Sequence, residues 1–563
     1  MGVLTVLLDV LAAGVGAIRN LLARLLPSPE VVLLTVSGSL PERRTPPPGR
    51  VRQWLARRWM PEREVSLEEW RERLQVVAAD PRVRGVVVRV GPVRAGLPAL
   101  AVLRAGLQQL RSAGKRTVAY LPTCDLAGYY LACGAEEVVV PESAELMLAG
   151  VRAEATFLRA ALDRLGIRAQ YHHIAEYKTA AHRFLYPKMT APQREMLEGI
   201  LDTWHQEITA AIASARGMTP QEVAAAIDQG ILSGDDAVRL RLADRTAWED
   251  DLPRLLGTAG RPARILPWPQ AARRLRMPVR RRWRRPVIAV VQVVGTIVPG
   301  ESREFPVPLP LVGSRLAGAD TVARALRAAE RSPAVRAVVL HVESGGGSAV
   351  ASDLIWREVA RVQQRKPVVA FLGSVAGSGG YYVACGARRI VCSPLTLTGS
   401  IGVVAGKISL RGLATRMGVG REILARGQSA TLPSPYADLT AAQEAVLRRW
   451  TEQIYRRFLA RVASGRGLRE DQVESVARGR VWTGRDALSG GLVDDLGDFE
   501  TAVRRARELA GIPQAEVAVV TVRPSQHVPI PASAAGWMAA LRQVADLLTE
   551  PAVLLMPGVE VVP

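Results

Sequence analysis

Lysine is nearly missing from this chain. Of its 74 basic residues only five are lysine, namely Lys115, Lys178, Lys188, Lys366 and Lys407; the other 69 are arginine. Arginine pairs with anions but stays charged in a protein, so it does not serve as a base. Chemistry that needs a neutral amine therefore has five candidates. Histidine is scarce as well, with six residues, and the four cysteines include no C-x-x-C pair. That excludes the common zinc modules and a disulfide framework. The main arginine run, from Arg273 to Arg285, has Trp283 as its only aromatic residue, which argues against nucleic acid as a partner. What is present is globular in character: 48% hydrophobic and 23% charged residues over 563 positions, long enough for two or more domains. The net charge of +21 suits an anionic membrane surface. It also fits the arginine bias of a GC-rich genome, and it identifies no chemistry.

A clean membrane span is missing too. Val3 to Leu26 is mostly apolar but is interrupted by Asp9, Arg19, Asn20 and Arg24, where a spanning helix wants about 20 nearly uncharged residues. On a helical wheel the polar residues gather on one side, with Leu4, Leu7, Leu11, Ile18, Leu22 and Leu25 opposite. Residues 1–27 therefore read as an amphipathic or membrane-anchoring helix, lying in the membrane interface, spanning it, or docked on protein. There is no basic n-region and no A-x-A cleavage site, so a cleaved signal peptide is not expected. If the helix spans, Arg19 and Arg24 would keep the bulk of the chain cytoplasmic. The expected location is membrane-associated, with the side left open.

The chain is a tandem repeat. PRVRGVVVRV from Pro81 parallels PAVRAVVLHV from Pro333; YYLACGA from Tyr129 parallels YYVACGA from Tyr381; SARGM from Ser214 parallels SGRGL from Ser464. The offset is 252 residues early and 250 late. A period this long means two homologous domains rather than a solenoid. In each copy, short β-branched runs alternate with helical stretches, which predicts βαβ units and a largely parallel sheet. The expected division is an N-terminal domain over 28–270, a basic linker over 271–285, a C-terminal domain over 286–520 and a tail over 521–563.

The repeat permits an internal comparison. In the second copy, ESGGGS at Glu343 to Ser348 follows a buried strand, and consecutive glycines let backbone N–H groups approach a ligand. Two such donors can form an oxyanion hole. The first copy has Arg94 and Ala95 in place of Gly346 and Gly347. The second copy also reads GSVAGSGGYY, with Ser378 among small residues where a strand ends and a helix begins, as in other nucleophile turns. The first copy has Leu126 at that place. Downstream the relation reverses: Lys178 in AEYKTA has Gln428 as its counterpart. One half keeps a lysine and lacks the serine; the other keeps the serine and lacks the lysine. Complementary losses point to one composite site. A serine hydroxyl needs an adjacent base, and a buried, neutral lysine can be that base. Such an amine needs hydrogen-bond partners, and Ser400 in TLTGSIG is a candidate.

These segments resemble the long, duplicated form of signal peptide peptidase, the protease IV (SppA) type, along nearly the whole chain. The resemblance rests on AEYKTA, VESGGGSA, VAGSGGYYVACGA, SPLTLTGSIGV and GRVWTGRDALSGGLVDDLGD. It implies an α/β fold of tandem duplicated crotonase/Clp-protease-like domains and a Ser-Lys endopeptidase, with Ser378 as nucleophile and Lys178 as general base. It implies that Ser400 holds the lysine and that Gly346, with help from Gly379, binds the oxyanion; Gly347 stands beside them. Where the family reads S-P-G-G-S, this chain has Ser344-Gly345-Gly346-Gly347-Ser348, which loosens the loop but keeps both later glycines. The resemblance further implies peptide substrates (residual signal peptides and unfolded hydrophobic segments), a homotetramer, and neither metal nor cofactor. Extended peptides would bind by strand addition beside the glycine loop.

Other readings stand beside this one. A crotonase-like acyl-CoA hydrolase or hydratase would use the same glycines, yet gives no reason for the serine-for-lysine division. A non-catalytic membrane scaffold would need no dyad. His341, two residues before Glu343 on the same strand face, offers a Ser-His alternative, with a structural histidine as the plainer explanation.

Overall fold

The structure is a computed structural model, and it describes residues 14, 18–21, 23, 26–44, 65–258, 260–277, 285–309, 313–513, 517–522, 552–556 and 560–562. Most of the expected N-terminal helix, the arginine-rich centre of the linker and most of the C-terminal tail lie outside these residues. Where the end of that helix is described, it is fastened to its own domain. Asn20 Nδ2 donates to the Met277 carbonyl at 2.9 Å and Asn20 Oδ1 accepts from the Met277 N–H at 3.0 Å; Arg82 Nη1 donates to the Ala23 carbonyl at 3.1 Å. No described helix is long and apolar enough to cross a membrane.

The chain divides into two compact units. The first comprises residues 1–152, 204–284 and 562–563; the second comprises 153–203 and 285–561. This division differs from the boundary expected at the linker: residues 153–203 precede the linker in sequence but pack within the second unit. A repeat marks what was duplicated, not which side chains a segment buries.

In the first unit a parallel sheet runs in the order Arg245–Thr246, Glu137–Val140, Arg116–Tyr120, Gly85–Val93, Val31–Gly38, Ile265–Pro267. In the second the corresponding order is Asp495–Leu496, Arg389–Cys392, Val368–Gly377, Val335–Ser344, Val287–Val294, Ala518–Thr521, again parallel. The α/β class and the duplication read from the sequence are both present. The β-branched runs become central strands because they are buried on both faces, as parallel sheets require; Val338, Val339, Leu340, Val368, Val369 and Ala370 are all fully buried. Helices Leu97–Ser112 and Ala349–Gln363 occupy equivalent places.

Polar anchors repeat as well. Lys115 Nζ donates to the Asp80 and Val83 carbonyls, and Lys366 Nζ to those of Ala329 and Ser332. The Tyr129 hydroxyl donates to the Leu242 carbonyl at 2.6 Å and that of Tyr381 to the Leu492 carbonyl at 2.7 Å. The copies differ at one strand. Val368–Gly377 is continuous and pairs along its far half with Leu397–Gly399. Its counterpart is cut at Pro122 into Arg116–Tyr120 and Thr123–Asp125, since proline supplies no ladder N–H. The longer strand delivers Ser378.

A second sheet of the second unit runs Arg303–Leu309, Gly313–Gly318, Thr296–Val298, Gly346–Ser348, Ala552–Leu555, Val404–Ser409, Arg168–His173. The glycine segment, expected as a loop, is thus a short strand, and the strand that leads to Lys178 pairs antiparallel with Val404–Ser409.

Candidate active site

Ser378 stands between the end of strand Val368–Gly377 and helix Gly379–Ala384, fully buried, with φ 53° and ψ −114°. A side chain at that φ is strained by about 1–3 kcal/mol. Five non-glycine residues have positive φ among the described residues, and four of them, Ala175, Ser378, Ser400 and Arg478, belong to the segments that build this site. Strain concentrated in this way marks a place where geometry has been kept for a purpose. The turn is held by the Ser378 N–H, which donates to the Gly399 carbonyl at 2.8 Å. It is held further back by the Glu343 carboxylate, which accepts the N–H groups of Ser374 and Val375 at 2.8 and 3.1 Å.

Lys178 is fully buried, and its Nζ lies 2.6 Å from Ser378 Oγ, 2.8 Å from the Ser400 carbonyl oxygen and 3.0 Å from Ser400 Oγ. Burial pushes the amine well below the ordinary lysine range. A neutral amine has two N–H donors and one lone pair. The Ser400 carbonyl can only accept, so it takes one N–H; Ser400 Oγ takes the second. The lone pair is left facing the Ser378 hydroxyl. Lys115, Lys366 and Lys407 also turn their amines inward, but onto backbone carbonyls alone. Lys178 is thus the one lysine among the described residues that meets hydroxyl groups.

The walls around Lys178 come from Arg478-Gly479-Arg480, whose last two residues open the GRVWTGRDALSGGLVDDLGD motif but received no role from the sequence. Gly479 has φ 82°, and a Cβ built there would come within 2.4 to 2.5 Å of the Lys178 backbone, so only glycine fits. The Tyr177 N–H donates to the Arg478 carbonyl at 3.2 Å, Arg478 pairs with Glu176 at 3.0 Å, and the Arg480 guanidinium lies over the Tyr177 ring. The available signal was charge complementarity, Arg478 with Glu176 and Arg480 with Glu195, which has no local periodicity to mark it.

Gly346, Gly347 and Gly379 come together: a Cβ on Gly379 would lie 3.1 Å from Gly346 Cα and 3.2 Å from Gly347 N. The Gly346 N–H donates to Ser344 Oγ at 3.1 Å, so it is already engaged. Gly379 is the first residue of its helix, and its N–H has no intrahelical acceptor. His341 stacks on Phe371 and has Gln292 Nε2 3.3 Å from its Nδ1, which is the structural role. In the first unit Leu126, the counterpart of Ser378, is buried core; Gln428, the counterpart of Lys178, stands on an exposed turn. The four cysteines are buried, and the thiols of Cys133, Cys385 and Cys392 are pushed up to about 12 by desolvation, so they do not compete as nucleophiles. Among the described residues no cluster of His, Cys, Asp and Glu could hold a metal ion.

Comparison with known proteins bears on this arrangement. The model of peptidase family S49 matches residues 109–258 and 360–513. The chain is 31% identical over 481 residues to the chloroplastic serine protease SPPA of Arabidopsis thaliana, covering 83% of this chain and 69% of that one. It is 29% identical over 459 residues to Protease 4 of Haemophilus influenzae, covering 77% and 72%. Among solved structures, a ClpP1 mutant from Listeria monocytogenes covers 38% of this chain and 94% of its own at TM-score 0.24 and 12% identity, a likeness too slight to carry an argument.

Proposed function

The chain belongs to peptidase family S49 and is a serine protease, and from that premise we propose that it is an endopeptidase working through a Ser378–Lys178 dyad. The observation that carries the proposal is the 2.6 Å separation of Lys178 Nζ and Ser378 Oγ in a buried setting that disfavours the ammonium form. Lys178 takes the hydroxyl proton as Ser378 Oγ attacks the scissile carbonyl carbon. The tetrahedral oxyanion is met by the Gly379 N–H, with Gly347 beside it and Gly346 available only by exchanging its bond to Ser344. The C–N bond breaks, Lys178 gives its proton to the leaving amine, and an acyl-enzyme remains. Water then attacks the ester carbonyl and gives a proton to Lys178; the acyl C–O bond breaks, Lys178 returns that proton to Ser378 Oγ, and the acid and free Ser378 are released. Ser400 orients the amine throughout.

The substrates in this reading are extended hydrophobic or unfolded peptides, residual signal peptides among them, taken by strand addition beside Gly346–Ser348. Action at a membrane surface and assembly as a homotetramer belong to the same reading; vesicle co-sedimentation and analytical ultracentrifugation examine them. The central test is mutational. Ser378→Ala and Lys178→Ala should each remove hydrolysis of casein and of a signal peptide while the circular dichroism spectrum is kept. Lys178→Arg should be equally inactive, because the guanidinium stays protonated. Activity near that of the unmodified chain in any of the three rejects the dyad.

A further inference from the structure

Arg480, just ahead of strand Val481–Thr483, holds the lysine site in two ways at once. Its carbonyl accepts the Ser400 N–H at 2.7 Å. That bond fixes the positive-φ turn whose carbonyl and hydroxyl are the two acceptors of the Lys178 amine. Its guanidinium donates from Nη1 to Glu195 Oε1 at 2.7 Å and lies over the rings of Tyr177 and Trp482, 4.9 and 4.5 Å from their centres. The other Glu195 oxygen accepts the Tyr177 hydroxyl at 2.9 Å. Arginine, glutamate and tyrosine thus close a ring, and Tyr177 is the residue next to Lys178. A planar guanidinium suits this place, because its face covers aromatic rings while its edge pairs with a carboxylate. The ring lies toward solvent, with the Glu195 side chain 57% exposed and that of Arg480 23%. An ion pair so placed contributes little to stability.

The parts of the ring are divided between the two copies as the dyad is. Tyr177 and Glu195 belong to the first copy with Lys178; the second copy has Gly427, Ala445 and Gln428 at the matching places. Arg480 belongs to the second copy with Ser378; the first has Gly230 and Leu126 there. The register is set by helices Ala191–Arg216 and Ala441–Arg466, of 26 residues each, and by LSGDDA from Leu232 against WTGRDA from Trp482. Each copy has kept the part of the ring that goes with its own catalytic group and lost the other. We propose that Arg480 is a positioning residue for the general base: it pins the turn that carries Lys178 to the turn that carries Ser400, and so keeps the amine's lone pair on the Ser378 hydroxyl with water shut out. The role rests on the reading of Lys178 and Ser378 as the dyad.

Arg480→Gln tests it. With the ring open, the lysine turn drifts and water reaches the amine, which favours the ammonium form. kcat for a peptide substrate should fall roughly 10- to 100-fold, while KM stays within about twofold. The acid limb of kcat should move to higher pH, by about one unit. Glu195→Gln, an exposed change, should move the limb in the same direction and covers the case in which Arg480→Gln fails to fold. The double variant should be no worse than Arg480→Gln alone, because both remove the same ring. Lost activity with an unmoved acid limb and a lowered Tm makes Arg480 a support of the fold only, and overturns the proposal. Unchanged kcat and an unchanged limb in both variants overturn it as well. Lys178→Ala, measured beside them, tells the two readings apart. If it is inactive while the ring variants are unaffected, the dyad stands and the positioning role falls; if it is active, the dyad falls and takes this role with it.

Discussion

Lys178 is expensive to keep. Its folded pKa is depressed by burial, whereas an unfolded chain holds the lysine proton up to about pH 10.4. Between those two values the unfolded state binds one more proton than the folded state, so stability rises with pH through that window, by about 1.4 kcal/mol per pH unit. At neutral pH the neutral amine is therefore a burden on the fold that Ser400 only partly offsets. Lys178→Met, similar in length and free of the ionisation, should be inactive yet melt at a higher temperature than the unmodified chain at pH 7, and the gap should narrow as pH rises toward 10.4. Thermal unfolding followed from pH 7 to 10 reads this directly; a gap that is constant or widens with pH contradicts a neutral buried lysine. The same ionisation sets the acid limb of activity. kcat/KM should climb with pH through the depressed pKa of Lys178, well below the ordinary lysine range, since only the free amine can accept the Ser378 proton.

The strand Val368–Gly377 brings Ser378 to Lys178, and its continuity depends on Glu343. The carboxylate accepts from the N–H groups of Ser374 and Val375, where register with the neighbouring strand shifts between Val342 and Ser344. Glu343→Gln keeps the size but turns one oxygen into an N–H₂ that faces a donor. One half-buried N–H is left without its acceptor, a loss of about 1 kcal/mol. Tm should fall accordingly, and the rate of fluorophosphonate labelling of Ser378 should drop with it; unchanged labelling would mean the strand is positioned without Glu343. Much at this scale was legible beforehand. The strands follow β-branched runs, and Ser378 and Lys178 carry chemistry that the two copies keep or lose in a complementary way. The contact of Gly479 with Lys178, the engagement of the Gly346 N–H, and the strand Ala552–Leu555 were not legible. Each is a contact between segments distant in sequence, and neither periodicity nor residue type encodes the partner. The Pro122 break was visible only as a letter until the unbroken counterpart gave it meaning.

Two halves of one duplicated sequence have not stayed two equivalent bodies. Residues 153–203 belong to the compact unit formed by the second copy. They supply the strand Arg168–His173, which pairs with Val404–Ser409 over six residues, and the turn that carries Lys178. The corresponding stretch of the second copy is exposed at Gln428 and offers no amine there. A fragment of residues 285–563 therefore has the Ser378 turn and the glycine strand but lacks both the base and a wall of the site. Without the amine, the Ser378 hydroxyl keeps its ordinary weak nucleophilicity, and the Val404–Ser409 edge has lost its partner. This fragment should show no peptide hydrolysis and no measurable fluorophosphonate labelling at Ser378, and Gln428→Lys should not rescue it, because an exposed lysine stays protonated at neutral pH. Co-expression with residues 1–284 should restore labelling, and co-expression with the same piece carrying Lys178→Ala should not. Labelling of the fragment alone at the rate of the full chain would show that the second copy is self-sufficient and that Lys178 is dispensable to its chemistry.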